Sequence, residues 1–188
     1  MNRPFDIDGL IDKYYPADRK VRGILLKHSA DVCALAVEIA HSRRLPLSDA
    51  DIRTAAYAHD IGIIATDAPG IDCHGTMPYL AHGAVGADML RTAGAPQWLA
   101  RIAERHTGAG LTEAEIANAG LPMPPGRSYM PVTLLERLIC FADCFYSKSG
   151  KMERKSTERV RAGLERFGAG VVARFDDMFR EFGPLPSA

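Results

Sequence analysis

Apolar side chains recur at intervals of three and four along most of the chain, the period of a helix with one buried face. Ile7, Leu10, Ile11 and Tyr14 predict a short helix over residues 7–15, stopped by Pro16. Val21, Ile24, Leu25, Val32, Leu35, Ala36 and Ile39 share the inner face of a long helix, expected from Asp18 as its N-cap to Ser42. Residues 43–47 read as a turn. Ser48 caps a third helix that reaches His59, with Asp51 where a capping-box acid would sit. Residues 63–78 carry Pro69, Gly70, Gly75 and Pro78 without a period, which predicts a loop and a candidate lid. Helical spacing resumes over 79–93 and 97–106, with Gly94 placed to relieve a left-handed cap and Pro96 opening the second helix. A capping box from Thr112 to Glu115 opens a short helix to about Asn118, and the proline-rich stretch 120–131 is expected to be an ordered loop. Three more helices are expected over 133–145, 156–167 and 170–182. Alternating strand patterns are absent, so the predicted class is all-α, a helical bundle.

Composition narrows this picture. At 188 residues with 47% hydrophobic content, the chain is sized for one well-buried core, so a single domain over 1–188 is expected. Lys plus Arg equals Asp plus Glu at 23 each, so no global field favours a nucleic acid polymer or an anionic membrane. The amino-terminal stretch Met1 to Asp6 has no apolar signal core, and no run is long and apolar enough for a membrane span. A cytoplasmic protein, monomer or homodimer, is the expectation. Cys33, Cys73, Cys140 and Cys144 include no CxxC pair and sit mostly in apolar helical patterns, which predicts reduced, packed thiols.

Against that apolar background the candidate chemistry is conspicuous. His59 and Asp60 end an apolar run just before the glycine of Tyr57-Ala58-His59-Asp60-Ile61-Gly62. Neighbouring side chains on a helix project about 100° apart, so the two can serve one ion only where the backbone turns. Taken singly, a helix histidine is more often a hydrogen-bonded core residue than a ligand. Taken together, His28, His59, Asp60, His82, His106 and Asp143 make four imidazoles and two carboxylates spread over five predicted helices. These donors suit borderline divalent ions, and helical bundles build metal sites by projecting such groups inward from facing helices. Two adjacent ions need a bridging carboxylate, and Asp60 is its natural candidate.

The order His28, then His59-Asp60-Ile61-Gly62, then Asp143 resembles the H…HD…D pattern of the HD superfamily of metal-dependent phosphohydrolases, in its HDIG form. His82 and His106 are similar to the two further histidines of its bimetallic members, and residues 103–110 with Ala142-Asp143 resemble a small stand-alone HDIG family. The resemblance spans about residues 27–148. It implies an HD-type bundle with two divalent ions (Fe or Mn, with Zn, Ni and Mg as alternatives). His28, His59, Asp60 and Asp143 would hold one, and Asp60, His82 and His106 the other. Ile63 and Ile64 follow Gly62 where cyclic-dinucleotide phosphodiesterases of the superfamily carry a lysine, and no GYP signature follows, so that substrate is disfavoured.

The implied activity is cleavage of a phosphate ester of a small molecule or nucleotide by a metal-activated hydroxide, with His59 and Asp60 at the reacting centre. Lys27, Arg105 and Lys148 are candidates for binding the phosphate because each is close in sequence to a ligand. His74, in the candidate lid, is a candidate proton donor to the leaving group. Glu104 and Asp31 are candidate acceptors for ligand imidazoles, and Cys140 and Cys144 read as helix packing beside Asp143. Two other functions fit the same ligands. A di-iron oxygenase of the same superfamily would activate O₂. A regulatory metal-binding module fits less well, since six inward polar groups cost stability unless they are partnered.

Overall fold

The helical period is realised as nine α-helices among the described residues, 5–185 of the computed structural model. They are α1 (Ile7–Tyr14), α2 (Lys20–Arg43), α3 (Asp49–Ala58), α4 (His82–Thr92), α5 (Gln97–Arg105), α6 (Glu113–Asn118), α7 (Leu134–Cys144), α8 (Thr157–Leu164) and α9 (Ala169–Phe182). Residues 1–4, part of the amino-terminal stretch considered above, and residues 186–188 lie outside the described residues. Among the described residues the protein is all-α apart from one two-residue antiparallel pair, β1 (Asp67–Ala68) and β2 (Cys73–His74), which pairs Asp67 with His74 and Ala68 with Cys73. No described helix is long and apolar enough to cross a membrane.

Most helix starts follow from local sequence. The Asp6 carboxylate accepts from Gly9 N–H, the Ser48 hydroxyl accepts from Asp51 N–H, and Thr112 and Thr133 each open a helix with a complete capping box. The start of α2 departs from expectation. Arg19, not Asp18, occupies the cap position and provides no side-chain cap. The carboxylate comes from the distant Asp72, which accepts from Val21 N–H at 3.4 Å and from Arg19 Nε at 3.0 Å. A contact 53 residues away in sequence cannot be read from local pattern.

The segment expected to be a loop and candidate lid carries short regular elements. Short 3-10 turns at Ile63–Ala65 and Pro69–Ile71 flank the β1–β2 pair, and backbone hydrogen bonds from Gly75 N–H to Thr66 O and from Met77 N–H to Ala65 O close it. Two clusters of buried apolar residues support the bundle. One joins Val32, Leu35 and Ile39 of α2 with Leu138, Phe141 and Phe145 and the α9 residues Phe175 and Phe182. The other joins Ile7, Ile11 and Tyr15 with Leu25, Ile61, Ile63, Leu90 and Leu99. In α2, Leu25 belongs to the second and Val32 to the first, so His28 sits where the helix passes between them. The four cysteines are free thiols, three of them buried.

Tyr15 ties α1 to the turn after α3. Its fully buried hydroxyl donates to Ile61 O at 2.7 Å and accepts from Ile64 N–H at 3.3 Å. Burial pushes its pKa up, so it stays a neutral donor. Tyr15→Phe leaves both backbone groups without that partner. We expect it to destabilise the fold by about 1–3 kcal/mol in urea denaturation; an unchanged midpoint would remove this tether from the account.

Candidate metal centre

Three of the four buried histidines are set by the same local device. The last carbonyls of a helix have no intrahelical partner. His59, the residue after α3, turns Nδ1 onto Ala56 O at 2.6 Å. His106, the residue after α5, turns Nδ1 onto Ala103 O at 2.7 Å, and His82 turns Nδ1 onto Tyr79 O at 2.6 Å. A carbonyl can only accept, so each Nδ1 carries a proton, and in the neutral ring each Nε2 presents a lone pair to the interior.

Those lone pairs converge on Asp60. Its Oδ2 lies 3.1 Å from His28 Nε2 and 3.0 Å from His59 Nε2, while its Oδ1 lies 3.3 Å from both His82 Nε2 and His106 Nε2. Asp143 Oδ1 completes the first set at 2.8 Å from His28 Nε2 and 3.5 Å from His59 Nε2. The result is two groups with potential ligand atoms within 4.8 Å of one another: His28, His59, Asp60 and Asp143 in one, Asp60, His82 and His106 in the other. Each Asp60 oxygen faces one group. His28, His59 and Asp60 are fully buried, and His82 and His106 nearly so.

This donor set fits a cation. His82 Nε2 and His106 Nε2 are 2.9 Å apart although both rings have committed their Nδ1 proton to a carbonyl. A hydrogen bond between them requires an additional proton or the loss of one carbonyl partner. Asp60 Oδ1 and Asp143 Oδ1 are buried without a hydrogen-bond partner, and Asp60 Oδ2 is met by the Lys148 ammonium at 2.7 Å. Converging lone pairs and unpartnered carboxylate oxygens are costly in a dry interior unless a positive charge lies among them. The electrostatics agree. Burial, with His106 adjacent, pushes His82 down to about 3, so it is a neutral donor. Burial also disfavours charge on His59, but Asp60 and Asp143 together outweigh it and raise that imidazole to about 10, so the two carboxylates draw a positive charge to this point, which a bound ion would supply in place of the Nε2 proton. Burial opposes ionisation of Asp60 too, yet His59 and Lys148 hold it well below the usual carboxylate range.

Backbone proximity brings the second group together. A Cβ on Gly62 would fall 2.1 Å from His82 O, and one on Gly83 would fall 2.5 Å from Ala103 O. Only glycine permits α4 to lie so close to the His59–Gly62 turn and to α5.

The substrate-binding candidates separate. Lys148 reaches the centre, with Nζ 2.7 Å from Asp60 Oδ2, and its side chain is only 11% exposed. Lys27, Arg105 and His74 do not. Lys27 follows Leu26 on the outer side of α2 and pairs with Asp31 at 2.7 Å, because turning His28 inward turns its neighbour outward. Arg105 is turned away from His106 in the same manner and pairs with Glu136 at 3.1 Å. His74 is exposed on β2, 3.2 Å from Asp72. Neither proposed acceptor touches a ligand imidazole: Asp31 is held by Lys27, and Glu104 by Arg91 and Arg127. Cys140 and Cys144 pack their thiols on Gly108 O, steadying the turn after His106.

A cleft of about 820 Å³ opens onto His82, His106 and Asp143. Its walls add Lys148, Lys155, Arg159 and Arg166, of which sequence reasoning singled out only Lys148. The signal available for the others was a run rich in Lys and Arg directly after Asp143.

Fold and site therefore define a helical protein with a buried histidine–aspartate centre suited to divalent ions. The HD domain family matches residues 25–147, and the chain belongs to that family. An uncharacterized protein of Methanocaldococcus jannaschii is 36% identical over 122 residues, covering 63% of this chain and 64% of its own length. A tRNA (cytidine(56)-2'-O)-methyltransferase of Thermoplasma volcanium is 33% identical over 159 residues, covering 83% of this chain and 40% of the relative. One of the same name from Picrophilus torridus is 30% identical over 142 residues, covering 72% of this chain and 38% of the relative. The chain thus spans less than two thirds of each of these relatives. No solved structure matches at a significant level.

Proposed function

We propose that the protein is a bimetallic phosphohydrolase that cleaves a phosphate ester of a small molecule or nucleotide. The observation that carries this reading is Asp60, whose two carboxylate oxygens face two separate groups of imidazole nitrogens. Divalent ions bound there supply Lewis acidity toward a phosphoryl oxygen and a nucleophile from water near neutral pH. The chain supplies the rest. His28, His59 and Asp143 hold one side of Asp60, and His82 and His106 hold the other. The carbonyls behind His59, His82 and His106 keep the rings from rotating.

Lys148 brings a positive charge to the junction of this centre and the cleft, where it offsets the charge of an arriving phosphate. The cleft walls hold more cationic than anionic side chains, which favours an anionic substrate, and its volume suits one of nucleotide size. The methyltransferase relatives act on tRNA by name, and a nucleotide substrate is in keeping with that company.

The test is elemental analysis of protein purified without chelator, followed by a phosphate-ester panel with Mn²⁺. About two ions per chain and release of phosphate, lost on chelation and restored by Mn²⁺, are expected. Iron near two per chain with O₂ consumption and no phosphate release would replace this reading with the oxygenase.

A further inference from the structure

The phosphohydrolase reading uses the ligand cluster and Lys148 but leaves the far wall of the cleft without a task. That wall comes from the segment following Asp143. Lys155 N–H donates to Phe145 O at 2.8 Å, which fastens the segment to the end of α7, and Lys155, Arg159 and Arg166 line the cleft together with the ligands.

Two cations close to this wall are answered by acids. Arg161, on the same helix as Arg159, pairs with Asp176, and Arg174 of α9 pairs with Glu115. Among the described residues, Lys155, Arg159 and Arg166 make no ion pair with a carboxylate, although acids are plentiful nearby in sequence. Lys155 is also half-buried. Burial, helped by Lys148 and Arg159, pushes its pKa below the usual lysine range against the opposing pull of Asp143. A partly desolvated ammonium beside like charges is unfavourable by itself and becomes favourable when an anion arrives. Arg166 lies over the Phe167 ring, its guanidinium carbon 4.6 Å from the centroid, and this contact steadies its position on the wall.

One phosphate at the His/Asp cluster would engage Lys148 and leave three cations unanswered, in a cleft of about 820 Å³ that greatly exceeds the space one phosphate needs. We propose that Lys155, Arg159 and Arg166 form a second anion subsite. The substrate is then a small ester of nucleotide size carrying a further phosphate besides the one at the His/Asp cluster. Placement of the first phosphate rests on the phosphohydrolase reading; the existence of the second subsite does not.

Phosphonates test this without hydrolysis. The full chain, loaded with Mn²⁺, is titrated calorimetrically with alkylphosphonates and with α,ω-bisphosphonates of increasing linker length. At one linker length the bisphosphonate should bind about tenfold tighter than the monophosphonate of the same chain length, as one added charge-assisted contact implies. In the Lys155→Ala/Arg159→Ala double variant that ratio should fall to about one. In Lys155→Arg/Arg159→Lys, which keeps both charges, it should persist, and thermal melts of all variants exclude unfolding as the cause. Equal binding of mono- and bisphosphonates at every length, or a preference that survives in the alanine variant, overturns the subsite. Failure of the hydrolase reading registers separately, as no ester cleavage by wild-type protein, and leaves the binding comparison intact.

Discussion

Asp60→Asn is expected to lower phosphate release by at least about a thousandfold and to leave the purified protein with less than half the metal of the wild type. The substitution keeps the shape of the side chain and removes its charge. Asp60 is the single residue shared by both potential ligand groups, so both are weakened at once. Removing a residue from only one group should act on that group alone: His106→Ala should reduce metal content toward one ion per chain. Asp60→Asn also leaves the nearly buried Lys148 ammonium without its carboxylate, a break that costs about 3–5 kcal/mol when a buried pair is severed. Circular dichroism of the variant, beside elemental analysis and the ester assay, separates loss of metal from loss of fold. A folded Asp60→Asn protein with wild-type metal and activity would exclude Asp60 from the centre.

Gly62→Ala is expected to destabilise the protein by about 3 kcal/mol, a fall in melting temperature of roughly 6–12 °C for a chain of this size. The new methyl group would lie 2.1 Å from His82 O and 2.4 Å from Gly86 N. Both are backbone atoms at the start of α4, so no rotamer change relieves the clash, and α4 must move as a unit. That movement carries His82 away from Asp60, so metal content should fall together with stability. A wild-type melting curve for Gly62→Ala would mean that the turn and α4 are less closely packed than these distances require.

The helical architecture was legible because it depends on local period and local caps. Residues 7–15, 97–106 and 133–145 begin and end within a residue or two of α1, α5 and α7, and the capping boxes at Thr112 and Thr133 form as their sequences require. The six polar groups of the centre were legible for a related reason. Ionisable residues on otherwise apolar helix faces must have a partner, and His59 and His106 stand at helix ends, where a free carbonyl can fix the ring.

Nearness in sequence to a ligand placed Lys148 at the centre but not Lys27 or Arg105. Lys27 and Arg105 adjoin ligands in the chain, but a helix turns consecutive side chains about 100° apart, and an inward histidine sends its neighbour to Asp31 or Glu136. The Asp18 cap failed because the carboxylate that serves α2 comes from Asp72.

By itself, then, the sequence determined the all-α class, most of the helices and the residues of the His/Asp cluster, all of which follow from short-range period, capping and the cost of burying polar groups. Only the tertiary structure decided that Asp60 gives one oxygen to each ligand group, that Gly62 and Gly83 let α4 approach closely enough for this, and that Lys148, Lys155, Arg159 and Arg166 line one cleft. Those are relations between segments brought together by packing, and no spacing along a single helix encodes them.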